Sequence, residues 1–108
     1  MMAIMSWWIY PSYFCGGLFL ANALPHIGNG ISGRPFQTPF ASPPGKGLSS
    51  STVNVVWGFF NLAAAYLLTF RVGTFDLHDV VSAGLVFTGM LVTAVMAAIG
   101  FGRFHGGK

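Results

Sequence analysis

Charge is what this chain has least of. Asp, Glu, Lys and Arg make up 6% of its 108 residues, against ~25% in an average soluble domain. So little charge does not cover a soluble fold of this size. The apolar remainder, 54% of the residues at a mean hydropathy of +0.67, has to face lipid or protein. The five Lys and Arg do not cluster, so a formal charge of +3 leaves no footprint for nucleic acid. One cysteine, Cys15, excludes an intrachain disulfide and a multi-cysteine metal site; it reads as a small apolar filler. The two acids, Asp76 and Asp79, lie outside the apolar stretches. A proton-coupled carrier normally needs a carboxylate at membrane depth, which argues against ion-coupled antiport. No nucleophile has an evident base beside it. Gly45-Lys46-Gly47 looks briefly like a phosphate loop. However, Phe40 stands where its first glycine belongs and Gly47 where Ser or Thr is required, so no nucleotide is expected.

What is present is three long apolar stretches, read as one all-α, three-helix transmembrane domain over 1–108. About twenty helical residues cross ~30 Å of hydrocarbon. The first span covers about 4–24. Ser6 is placed to cap it, and Trp7, Trp8, Tyr10 and Tyr13 form an interfacial aromatic belt. Ala21-Asn22-Ala23 has the form of a signal cleavage site, but no Lys or Arg precedes the span and Pro11 interrupts its start, so it is read as retained. The second span covers 53–71, after the N-cap candidates Ser49, Ser50, Ser51 and Thr52. The third covers 80–101, with Asp76 or Asp79 at its start, where a carboxylate suits the helix dipole. A short basic tail follows. Gly17 with Ala21, and Gly89 with Thr93 and Ala97, recur every four residues and read as helix-packing seams, with Gly84 and Thr88 beginning a parallel one.

Between the first two spans lies a loop over 25–52 holding five of the six prolines. Its Pro-Phe pairs favour an extended backbone, and Ile31, Phe36 and Phe40 anchor it, so it is expected to be ordered at the membrane surface. Arg34, Lys46, Arg103 and Lys108 fall on the side of this loop, and Arg71 on the other. That bias places the N-terminus outside and the loop and C-terminus in the cytoplasm.

The polar candidates gather at the loop end. Asn22 and His26 share a face if the helix survives to Pro25. Asn54 and Asn61 share another, with Trp57 beside them. An amide at membrane depth most often bonds across helices; the functional alternative is a ligand cavity lined by these residues with Arg34, Phe36 and Phe40. His26 and His105 are the weak metal or haem candidates, and helix-end capping is the plainer role for each. No cofactor is expected. Asp76-Leu-His78-Asp79 reads as a helix cap that pairs with Arg71.

The blocks NALPH (22–26), SGRPFQTPFASPPGKGLSS (32–50) and VNVVWGFFN (53–61) resemble those of a family of small bacterial integral membrane proteins with no established activity. The resemblance covers about a third of the chain. It implies a bacterial inner-membrane setting and nothing about chemistry. The leading expectation is a non-catalytic membrane subunit that packs on itself or on a larger complex in the bilayer. A small oligomeric transporter or channel for a neutral or anionic solute, and a cofactor or metal carrier using His26 and His105, are the alternatives.

Overall fold

The structure, a computed structural model, describes residues 6–107, with Ser6 described by its backbone only. The expected capping by Ser6, the first residues of the expected 4–24 span and the Lys108 charge therefore lie outside the described residues. Three α-helices make up most of the chain: α1 (Ile9–Ile31), α2 (Ser51–Phe70) and α3 (Val80–His105). A 3-10 turn, Ser6–Trp8, leads into α1. Two short strands, β1 (Phe36–Gln37) and β2 (Leu48–Ser49), lie in the α1–α2 connection.

The start of α2 follows from its cap. Ser50 is extended (ψ 162°) and its Oγ accepts the Val53 N–H at 3.2 Å, satisfying an otherwise free amide. Arg71 closes the helix. α3 begins after Asp79 and ends at Gly106, whose φ of 82° suits glycine. Arg103 and His105 lie in its last turn, where cations favour the helix dipole. The expected basic tail is thus largely helix, and α3 outruns the 80–101 span.

The first helix differs more. It passes through Pro25 to Ile31, so the connection is 32–50 rather than 25–52. Pro25 has no N–H to give the carbonyl four residues back, which normally ends or kinks a helix. Here tertiary packing outweighs that local preference. Gly30 lies against the Ser51 carbonyl and Val55, Ile27 lies against Gly58, and Asn29 Nδ2 donates to the Pro25 carbonyl at 2.8 Å.

α1 is the middle helix. It packs along α2 on one side and α3 on the other, while α2 and α3 barely meet. The α1–α3 crossing is close because two glycines face opposing backbone. A Cβ on Gly17 would run into the Val86 carbonyl, and one on Gly89 into the Phe14 carbonyl. Gly17, Ala21 and Gly89 therefore act as the expected seam. Thr93 and Ala97 instead line a groove that opens between α1 and α3 toward the loop end. Gly84 and Thr88 meet no other helix: nothing lies within 4 Å of a Cβ built on Gly84, and Thr88 Oγ1 donates back to the Gly84 carbonyl.

The distribution of polarity is inverted relative to a soluble bundle. α2 buries Asn54, Gly58, Asn61, Ala65 and Thr69. It exposes Val56, Phe60, Tyr66, Leu67 and Phe70. α3 exposes Phe87, Leu91, Val95, Met96 and Ile99, and only 11% of its most apolar stretch is buried. α2 and α3 are each long and apolar enough to cross a membrane. α1 has 23 residues but carries Asn22, Pro25, His26 and Asn29, and does not reach the same hydropathy. The long axis of the fold measures 47 Å, against ~40–45 Å for a bilayer with its headgroups.

Candidate functional site

The polar side chains of α1 and α2 meet as two rungs of an antiparallel ladder. Asn22 Nδ2 donates to Asn61 Oδ1 at 3.0 Å. One turn along α1 and two along α2, His26 Nδ1 and Asn54 Oδ1 are 2.7 Å apart, and both residues are almost fully buried. Asn61 Nδ2 returns to the Trp57 carbonyl at 2.8 Å. This is the pairing that a buried amide requires in an apolar setting.

Asn54 does more than pair with His26. Its Nδ2 lies 3.1 Å from the Phe36 carbonyl, 3.2 Å from that of Ser49 and 3.0 Å from that of Ser50. One side chain thus fastens both strands of the connection to two helices. Those carbonyls fix the amide nitrogen on their side, so Oδ1 is the atom facing His26. His26 Nδ1 must then carry a proton and donate it, which leaves Nε2 as the lone-pair nitrogen of the neutral ring. No described residue bonds to Nε2.

The connection closes over the helix ends through this latch. Phe36 and Gln37 pair with Ser49 and Leu48 in antiparallel register. Phe36, Gln37 and Thr38 are buried, and the Thr38 and Ser49 hydroxyls bond each other. The Phe36 ring stacks on His105 (centroids 5.1 Å apart, planes 6° apart) and also contacts His26 and Phe101. His105 Nε2 donates to Gln37 Oε1 at 2.8 Å, joining the end of α3 to the connection. Of the three expected anchors only Phe36 is buried. Ile31 is exposed, and Phe40, also mostly exposed, sets its edge on Trp57 with ring centroids 4.8 Å apart. Arg34 Nε donates to Asn29 Oδ1 at 3.1 Å on the surface.

Beneath the connection lies a cavity of about 360 Å³ whose lining includes Asn22, His26, Gln37, Thr38, Trp57 and Phe101. Two of its groups lack a partner. One is His26 Nε2, an acceptor. The other is Trp57 Nε1, a buried donor. The two rings have centroids 6.4 Å apart. A neutral donor such as a hydroxyl suits the open His26 Nε2, whereas Trp57 Nε1 has no accessible surface to offer a ligand. Its lining includes no carboxylate and no thiol.

His26 and His105 do not cap helix ends. Each spends a ring nitrogen on an amide oxygen, and Phe36 packs against both rings. Among the described residues no three His, Cys, Asp or Glu side chains gather to hold a metal. At the opposite end, His78 Nδ1 pairs with Asp76 Oδ1 at 3.2 Å, both well exposed. The expected pairing with Arg71 is absent among the described residues. Asp79 Oδ2 instead accepts from Ser82 Oγ at 2.6 Å, and this bond holds the Asp79 carboxyl below its usual range.

Sequence reasoning found Asn22, His26, Asn54, Trp57 and Asn61, and the structure brings them together. It passed over Gln37, Thr38 and Phe101. The available signal was the polar Gln37-Thr38 pair set between two Pro-Phe pairs, where a surface loop has no need to alternate so tightly. Compared with protein-family models, with curated proteins and with solved structures, the chain matches none.

Proposed function

We propose that this chain is a non-catalytic, multi-pass protein of the bacterial inner membrane that serves as a packing subunit of a larger assembly. All three helices span the bilayer, with the N-terminus outside and the 32–50 connection and C-terminus in the cytoplasm. The observation that carries this reading is the inverted polarity. Asn, His and Thr side chains are paired inside, while the outward faces of α2 and α3 are aromatic and aliphatic. α1 is less hydropathic because it is the inner helix, screened on both sides. The charge asymmetry of the ends supports the orientation.

Two facts favour a packing role over a conduit. The Asn54 and Asn61 amides are consumed by bonds that hold helices and connection together, so they offer little to a passing solute. In addition, Gly84 and Thr88 form a small-residue face that no described helix covers. A second helix can approach closely there.

The test is extraction into native nanodiscs, followed by mass measurement of the intact particle. The reading predicts a complex heavier than one chain, and Gly84→Leu shrinks it while leaving the thermal stability of the chain unchanged. A partner-free monomer for the wild type contradicts the reading.

A further inference from the structure

We infer that the groove between α1 and α3 at the loop end is a seat for one anionic phospholipid whose headgroup carries a free hydroxyl. This inference rests on the bilayer-spanning reading above, but not on the existence of a protein partner.

The groove has a volume of about 570 Å³. It starts beside the close contact of Gly17 and Gly89 and runs to the loop end. Leu18, Thr93, Met96 and Ala97 give it apolar walls. Lys46 from the connection and Arg103 from the last turn of α3 line the same groove. Both cations are exposed, and neither has an ion-pair partner among the described residues. The two acidic side chains, Asp76 and Asp79, sit at the opposite end of the helices. An apolar groove topped by two cations with no ion-pair partner among the described residues is complementary to an acyl chain below a phosphate.

The headgroup end is also provided for. The groove adjoins the 360 Å³ cavity under the connection, and the two share Asn22, Pro44, Gly45 and Phe101 as lining. His26 lines that cavity, its Nε2 has no partner among the described residues, and a headgroup hydroxyl can donate to it. A phosphate on Lys46 and Arg103 places the next atoms of the headgroup at its mouth. Choline, which has no hydroxyl and adds a positive charge, fits neither requirement.

The experiment uses the full chain in nanodiscs of phosphatidylcholine mixed with phosphatidylglycerol or with phosphatidylserine. Bound lipid is counted by native mass spectrometry. The wild type retains one phosphatidylglycerol in preference to phosphatidylcholine and to phosphatidylserine. Each surface cation contributes about fivefold to anionic-lipid binding, so Lys46→Gln with Arg103→Gln lowers retention about twenty-five-fold. Ala97→Phe, which fills the groove and keeps both charges, also removes the bound lipid. Arg34→Gln, a cation outside the groove, retains it. Equal retention of the three lipids overturns the inference. So does retention in the double variant, or in Ala97→Phe, since a diffuse charge effect would survive a blocked groove. Failure of the chain to insert into the bilayer overturns both this inference and the spanning reading. Insertion without lipid preference overturns this one alone.

Discussion

Replacing Asn54 with leucine keeps the size of the side chain and removes its polarity. Four bonds are lost: the acceptor for His26 Nδ1 and the donor to the Phe36, Ser49 and Ser50 carbonyls. Ser50 still receives the backbone N–H of residue 54. The groups left poorest are the His26 Nδ1–H and the Phe36 carbonyl, both in buried residues. A buried polar group without a partner costs about 1–3 kcal/mol. Two of them, beside a cavity that admits water, cost about 3 kcal/mol together. Hydrogen bonds between membrane helices average only about 0.6 kcal/mol, but that figure measures a pair against an unfolded chain that finds other partners. Here one partner is deleted and the others stay buried, so the larger figure applies. The loss falls on the fastening of residues 32–50, and limited trypsin digestion in mild detergent reads it directly. Lys46 is the cleavable site there, since Arg34 precedes a proline. Asn54→Leu raises the rate of cleavage after Lys46 by about tenfold or more. Asn61→Leu, which removes the rung to Asn22 and the bond to the Trp57 carbonyl but leaves the fastening of residues 32–50 intact, leaves that rate unchanged and costs about 1 kcal/mol in thermal unfolding. If Asn54→Leu matches the wild type in both cleavage and unfolding, the latch is refuted.

Two further outcomes follow from the geometry. Gly17→Leu forces a side chain into the Val86 carbonyl across the α1–α3 contact, so it destabilises by about 2 kcal/mol or more in thermal unfolding; an unshifted transition shows that the helices do not cross there. The Ser82 bond depresses the Asp79 carboxyl, so its contribution is present above the unfolded Asp value of ~3.9 and is lost as pH falls through the folded value. Amide exchange at residues 80–83 should therefore speed up on acidification below about pH 4 in the wild type but not in Ser82→Ala; identical profiles remove Asp79 from the start of α3.

Much of the architecture was legible because its causes are local. The serine run before Val53 supplies the cap at Ser50, Arg71 ends α2, and the glycine spacing marks the α1–α3 contact. The continuation of α1 past Pro25 was not legible. The signals there are helix breakers, and what overrides them is the fit of Gly30 and Ile27 against α2, a contact between residues far apart in sequence. The same holds for the aromatic anchors. Phe36 and Phe40 look alike in sequence, but the pairing of Phe36 with Ser49 turns one ring inward against two histidines while Phe40 remains on the surface. His26 illustrates both sides. Its partnership with an amide on the next helix is what a polar residue among apolar ones requires. Its second nitrogen, left open beside the Trp57 donor, is visible only once the connection is seen to close over it.

The central claim is that three helices cross the bilayer, with the 32–50 connection and the 71–79 turn on opposite faces. Single cysteines at Ser42 and Thr74, introduced after Cys15→Ala, test it in sealed inverted and right-side-out vesicles with a membrane-impermeant thiol reagent. The account predicts that Ser42→Cys is labelled only from the cytoplasmic face and Thr74→Cys only from the outer face. Labelling of both positions from the same face would contradict it.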